Sequence, residues 1–184
     1  MTLSRITNGG VASSALPSGS IIQVKHTQIT VTDSQVISSA NTDTLVSGFT
    51  VNITPTSTNS IIQLTAQIFG EFGHVSMPHN TIFYFMRDST KLAHTGTIQG
   101  DQQAGVSMIA QVHGDGSSGN NATTPEVGMI SFFDTPSTTS QITYKLGFRG
   151  KQAGTFHINR TVNDNNSHSE ERGTSFISAT EIAG

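Results

Sequence analysis

The side chains able to do chemistry in this chain are few and loosely spaced. It has seven histidines and no cysteine, so a disulfide or a thiolate metal site is excluded from the outset. His74 and His79, in His-Val-Ser-Met-Pro-His, stand five positions apart. That spacing suits neither a helical turn nor one face of a regular strand, and it matches no zinc-ligand pattern. Both read as solvated loop histidines. His157 lies between Phe156 and Ile158 and therefore points away from them, toward a wet sheet face or a subunit contact. Hard oxygen ligands occur in two loops: Asp115 with Asn120 and Asn121, and Asn163-Asp164-Asn165-Asn166 with Glu170-Glu171. Neither places an acidic anchor at the offset a calcium loop requires, and Asx turns explain the same residues. No metal and no cofactor are expected.

Catalysis fares no better. The twelve acids are spread mostly through turns (Asp33, Asp88, Asp101, Asp115, Asp134), and nothing selects a converging pair for glycan cleavage. There is no Gly-x-Ser-x-Gly elbow, phosphate loop or dinucleotide fingerprint, so no enzymatic activity is expected. Glycan binding is the more plausible surface chemistry, because the loops are rich in amides. The aromatic half of such a site is thin, with no Trp and two Tyr. Tyr84 and Tyr144 fall inside strand patterns and read as packing residues. Phe69 and Phe72 flank Gly70-Glu71 near a strand end. The candidates for contact with a ligand are therefore Phe72, His74 and His79, the Asp115–Asn121 loop residues named above, and Asn163, Asp164 and His168 of the second polar loop.

The elements that would position these residues are strands. Ile22 and Val24 alternate with polar neighbours, and Ile29 and Val31 resume the alternation after a slip that predicts a bulge near His26-Thr27. Phe49, Val51 and Ile53 alternate, as do Ile62, Leu64, Ala66 and Ile68 beyond Pro55–Asn59, which reads as one hairpin. Val106 to Val112, Val127 to Phe133, Ile142 to Phe148, Phe156 to Asn159 and Ser175 to Ile182 continue the series. The nearly continuous runs Ile82–Met86 and Met129–Phe133 predict burial on both faces. About nine or ten short strands separated by turn clusters predict an all-β antiparallel sandwich or barrel. No window carries the period of an amphipathic helix.

Residues 1–19 differ from the rest. Their turn-formers leave Leu3, Ile6, Val11 and Leu16 as scattered apolar residues, the pattern either of a floppy terminus or of an extended arm that orders on docking, ahead of one domain over 20–184. Charged residues are 11% of the chain and the net charge is −3, which gives no basic stripe for nucleic acid. No apolar run approaches the ~18 residues of a spanning helix, and no apolar region follows Met1 to suggest a secretory signal. Neither a nucleic-acid partner nor membrane insertion is expected.

Several segments together resemble a domain of bacteriophage virion proteins, common in marine phage and cyanophage and often found at tail-fibre tips. They are Ser20-Ile-Ile-Gln-Val, Gly48-Phe-Thr-Val-Asn-Ile-Thr-Pro-Thr-Ser-Thr-Asn-Ser-Ile-Ile, Met86-Arg-Asp-Ser-Thr, Asp134-Thr-Pro-Ser-Thr-Thr-Ser-Gln-Ile-Thr-Tyr, Gly154-Thr-Phe-His-Ile-Asn-Arg and the terminal Ile182-Ala-Gly. The resemblance spans residues 20–184 in order, through motifs that are individually weak. It implies a jelly-roll-like sandwich, a homotrimer, and a place on the surface of a particle assembled in the host cytoplasm. Its partners would be capsid or tail-adaptor proteins and a host surface glycan or protein. Fibre proteins of this kind carry the domain behind a long shaft, whereas about 19 residues precede it here. Two readings follow: a short receptor-binding fibre tip, or a capsid decoration (cement or head-fibre) protein anchored by its N-terminal arm.

Overall fold

The computed structural model describes residues 16–73, 77, 80–109, 125–168 and 170–184. The arm positions Leu3, Ile6 and Val11, the histidines His74 and His79, and the loop residues Asp115, Asn120 and Asn121 lie outside them. The described residues form ten strands: β1 Ile21–Ile29, β2 Asp33–Ile37, β3 Asp43–Ile53, β4 Ile61–Phe72, β5 Thr81–Arg87, β6 Thr90–Leu92, β7 Glu126–Asp134, β8 Ile142–Gly150, β9 Gly154–Ile158 and β10 Ser175–Ile182. Among the described residues no helix is long and apolar enough to cross a membrane.

The strands form two antiparallel sheets. The larger has the order β1-β10-β4-β9-β2, with β7 paired to β4, and the smaller has the order β3-β8-β5-β6. β7 covers one edge of β4 from Ile62 to Gly70. On the opposite edge β10 pairs with Ile61–Gln67 and β9 takes over at Gly70–Phe72. Consecutive strands repeatedly change sheet, so the fold is an all-β, jelly-roll-like sandwich.

The period-two alternation becomes a two-layer core. Leu64, Ala66 and Ile68 of β4, Ile130 of β7 and Ile177 and Ala179 of β10 point inward from the larger sheet. They meet Phe49, Val51 and Ile53 of β3 and Leu146 and Phe148 of β8. At one end Phe72, Phe83, Phe148 and Phe156 form an aromatic cluster, with Phe72 and Phe156 at 4.6 Å between centroids. Such pairs add about 0.5–1.5 kcal/mol each to the burial of apolar area.

Four sequence expectations are corrected. Phe49–Ile53 and Ile61–Ile68 are not a hairpin: β3 pairs with β8 while β4 pairs with β10 and β7, so the Pro55–Asn59 turn carries the chain between sheets. The bulge of β1 lies between Ile21 and Gln23, and the strand passes through His26-Thr27 unbroken. Among the described residues of 106–112 there is only an isolated bridge, Ser107 to Phe83, rather than a strand. Met129–Phe133 is an alternating strand whose Met129 and Phe133 are exposed. In β5, by contrast, Phe83, Tyr84 and Phe85 are all buried, as the apolar run predicted.

Candidate functional site

One end of the larger sheet gathers polar side chains from β2, β4, β9 and the loop that precedes β10. Gly70 permits β9 to approach here, since a Cβ at that position would stand 2.2 Å from the carbonyl oxygen of His157. Directly after β9, Asn159 adopts a left-handed conformation (φ 59°) and is fully buried. Its Nδ2 donates to the carbonyls of Ile29 and Val31 at 2.8 and 2.9 Å, and its Oδ1 accepts from Ser175 Oγ at 2.6 Å. Asparagine tolerates this backbone region better than most residues, and here its amide also joins β1 to β10.

The loop is tied down from below. Glu71 is 1% exposed and accepts from the Val162 backbone N–H at 2.7 Å. Arg160 donates to the carbonyls of Thr161 and Val162 at 3.0 Å each and to Ser34 Oγ at 2.8 Å. Ser34 Oγ in turn lies 3.3 Å from His157 Nδ1. Burial, reinforced by the Arg160 charge, lowers the His157 pKa, against the pull of Glu71 and Asp164. Further out, Arg172 donates to Asp164 at 2.8 Å and Asn165 donates from its backbone to Glu170. These carboxylates hold the loop's own groups, and among the described residues no cluster of three or more metal-ligating side chains occurs.

Of the sequence candidates, Asn163, Asp164 and His168 lie on this loop and are exposed. Phe72 is corrected: it is the last residue of β4, 4% exposed inside the aromatic cluster, and it cannot meet a ligand at the surface. Leu16 lines a small pocket with Ile22, Thr56 and Ala183, and Gly19 donates to the Ala183 carbonyl at 2.7 Å. The described end of the arm therefore rests against the sandwich.

Two buried acids were missed as structural groups. Asp134 of β7 accepts from Arg87 at 2.8 Å and from Tyr144 Oη at 2.7 Å, which ties the larger sheet to the smaller. Burial, then the bond to Asp134, raises the Tyr144 pKa. Glu181 of β10 is 0% exposed and accepts from Thr56 N at 2.6 Å, Thr56 Oγ1 at 2.8 Å, Ser60 Oγ at 2.6 Å and Gln23 Nε2 at 2.6 Å. The signal for both was phase: Asp134 alternates with Ile130 and Phe132, and Glu181 with Ile177 and Ala179.

The outer faces of the two sheets differ. On the larger sheet, cross-strand rows over β1, β10, β4 and β7 present Val24-Thr180-Gln63-Phe133, then His26-Ser178-Thr65-Ser131, then Gln28-Phe176-Gln67-Met129. Ile21, Ile182 and Ile61 extend this face at one end, and Phe69 with Val127 at the other. None of these residues is Asp, Glu, Lys or Arg. On the smaller sheet, Asp43 is 2.7 Å from Lys91 and 3.6 Å from Arg149, with Lys145 on the same face. Lys91 also lies 4.0 Å above the buried Tyr84 ring. Gly147 makes room for that ring, since a Cβ there would meet it at 2.5 Å.

No family model matches the chain, and no curated protein matches it. Among solved structures, one similar chain is the VP2 subviral particle of infectious bursal disease virus. It is 12% identical with a TM-score of 0.36, over 99% of this chain and 46% of that one. A mutant VP2 protein of the same virus, from derived T=1 particles, is 15% identical with a TM-score of 0.37, over 100% and 41% respectively. This chain spans less than half the length of either. A likeness this distant carries no functional argument.

Proposed function

We propose that this chain is a structural protein of a bacteriophage particle surface: a short tail-fibre tip module that binds a host receptor and works as a homotrimer. The observation that carries the reading is the ordered series of segments resembling phage virion domains, set on an all-β sandwich. The polar loop at the end of the larger sheet supports it. Its backbone is held by Asn159, Glu71 and Arg160, while Asn163, Asp164 and His168 face solvent. A surface loop positioned by a rigid scaffold is the usual site of recognition, and amide and carboxylate groups suit a glycan or a polar protein surface.

Copy number tests the proposal. Quantitative mass spectrometry of purified particles, against the major capsid protein, is expected to give a few to a few dozen copies per particle. Absence from the particle would overturn the virion reading. Hundreds of copies would replace the fibre tip with a capsid decoration protein.

A further inference from the structure

We infer that the outer face of β1, β10, β4 and β7 is the surface through which copies of this chain associate. The inference rests on the self-association in the proposed function and adds where it occurs. Three observations converge on it.

The first is chemical. The cross-strand rows of this face, from Ile21-Ile182-Ile61 to Phe69-Val127, carry no Asp, Glu, Lys or Arg; Glu71, the next outward residue of β4, is 1% exposed and accepts from the Val162 backbone. The apolar residues of the rows are not isolated: Ile21, Val127, Met129 and Phe133 are each 59–65% exposed. Thr, Ser and Gln separate them, which supplies neutral donors and acceptors between apolar contacts. Depletion of charge with retention of aromatic residues and Met is the composition of an interface core.

The second is size. Four strands wide and about eight residues long, the face measures roughly 19 Å by 27 Å, on the order of 500 Å² before side-chain relief. Stable interfaces take about 800 Å² from each partner. The face therefore supplies the greater part of one standard interface.

The third concerns the occupant. A neutral face is best met by another neutral face, and in a closed trimer each copy turns one part of this face to a different part of its neighbour's. The alternative occupants from within the chain are residues 1–15 and residues 110–124, which lead into β7. As one extended segment each would cover a strip about one strand wide, not four.

The test uses the full chain. Light scattering coupled to size exclusion is expected to give a multiple of 19.5 kDa, three times that mass for a trimer. Met129→Glu with Phe133→Glu is expected to return the mass to that of a single chain with an unchanged far-UV spectrum. Thr50→Glu with Asn52→Glu, on the smaller sheet, is expected to leave it associated. Because the protein has no cysteine, Thr65→Cys provides a second readout that does not perturb the fold. A short bis-maleimide should cross-link it between chains, and Thr50→Cys should not cross-link. A wild-type protein that stays monomeric overturns both the self-association and this surface. An oligomer that is broken by the Thr50/Asn52 pair and not by the Met129/Phe133 pair overturns the surface alone, as does cross-linking through Thr50 and not Thr65.

Discussion

The two sheets place most of their charges differently. The larger sheet buries three acids, Asp134 and Glu181 on its inner face and Glu71 on its outer side beneath the Val162 backbone, and the open cross-strand rows from Ile61 to Phe69 are left neutral across four strands. The smaller sheet sends Asp43, Lys91, Lys145 and Arg149 outward, where three of them pair with one another. The same ionic groups thus do different work. Inside, a carboxylate is a fixed acceptor for donors that would otherwise be orphaned, so its removal strands them. Outside, an ion pair competes with water and salt and contributes little. The contrast also marks which face suits water and which suits a partner.

The largest effect is expected at the inward acids. Asp134→Ala leaves Arg87 and the Tyr144 hydroxyl without their acceptor between the sheets. The expected loss is about 3–4 kcal/mol, read as a lower midpoint in urea at unchanged slope. A loss below ~1 kcal/mol would break the claim that this sheet's carboxylates are structural.

Glu181 sharpens the comparison through pH. Burial raises its pKa, but the bonds from Ser60, Gln23 and Thr56 outweigh it and hold the value below the ordinary one. A depressed folded value means that its contribution is full above the unfolded carboxylate value of about 4.3 and is lost as pH falls through the folded value. Glu181→Gln is expected to cost about 2 kcal/mol near neutrality, because an amide nitrogen replaces one acceptor oxygen. The gap between wild type and variant should then narrow as pH falls below the unfolded carboxylate value and close once it has passed through the folded one. A gap that persists in acid would show that Glu181 acts through packing.

The smallest effect is expected on the outward side. Lys91→Ala removes the 2.7 Å pair with Asp43 and the cation above Tyr84. Thermal unfolding should register less than about 1 kcal/mol, shrinking as salt is added. A loss matching that of Asp134→Ala would erase the distinction between the two sheets.

Much of the fold was legible because period two is a direct print of a half-buried strand. The alternation in Ile62–Ile68, Ile142–Phe148 and Ser175–Ile182 placed three strands and the faces they bury. Local pattern also exposed Tyr84 and Tyr144 as packing residues, and both are buried. The candidate site was less legible. Phe72 read as a ligand candidate because it flanks Gly70-Glu71 near a strand end, yet β4 runs on to Phe72 and seats it against Phe156. Asn159 looked like the end of a strand, and only its contacts with Ile29, Val31 and Ser175 reveal it as a joint.

By itself the sequence determined strand character and the inward phase of the alternating strands β4, β8 and β10, together with the scarcity of charge, because these follow from side-chain type at successive positions. Pairing was decided only in three dimensions. Nothing local tells β3 to pair with β8 rather than with β4, its neighbour in sequence, since hydrogen-bonding edges are alike and the choice rests on how two complete sheets bury each other. The same holds for the neutral outer face. Its residues come from β1, β4, β7 and β10, and only the registry of those four strands turns scattered Val, Met, Phe and Thr positions into one continuous surface.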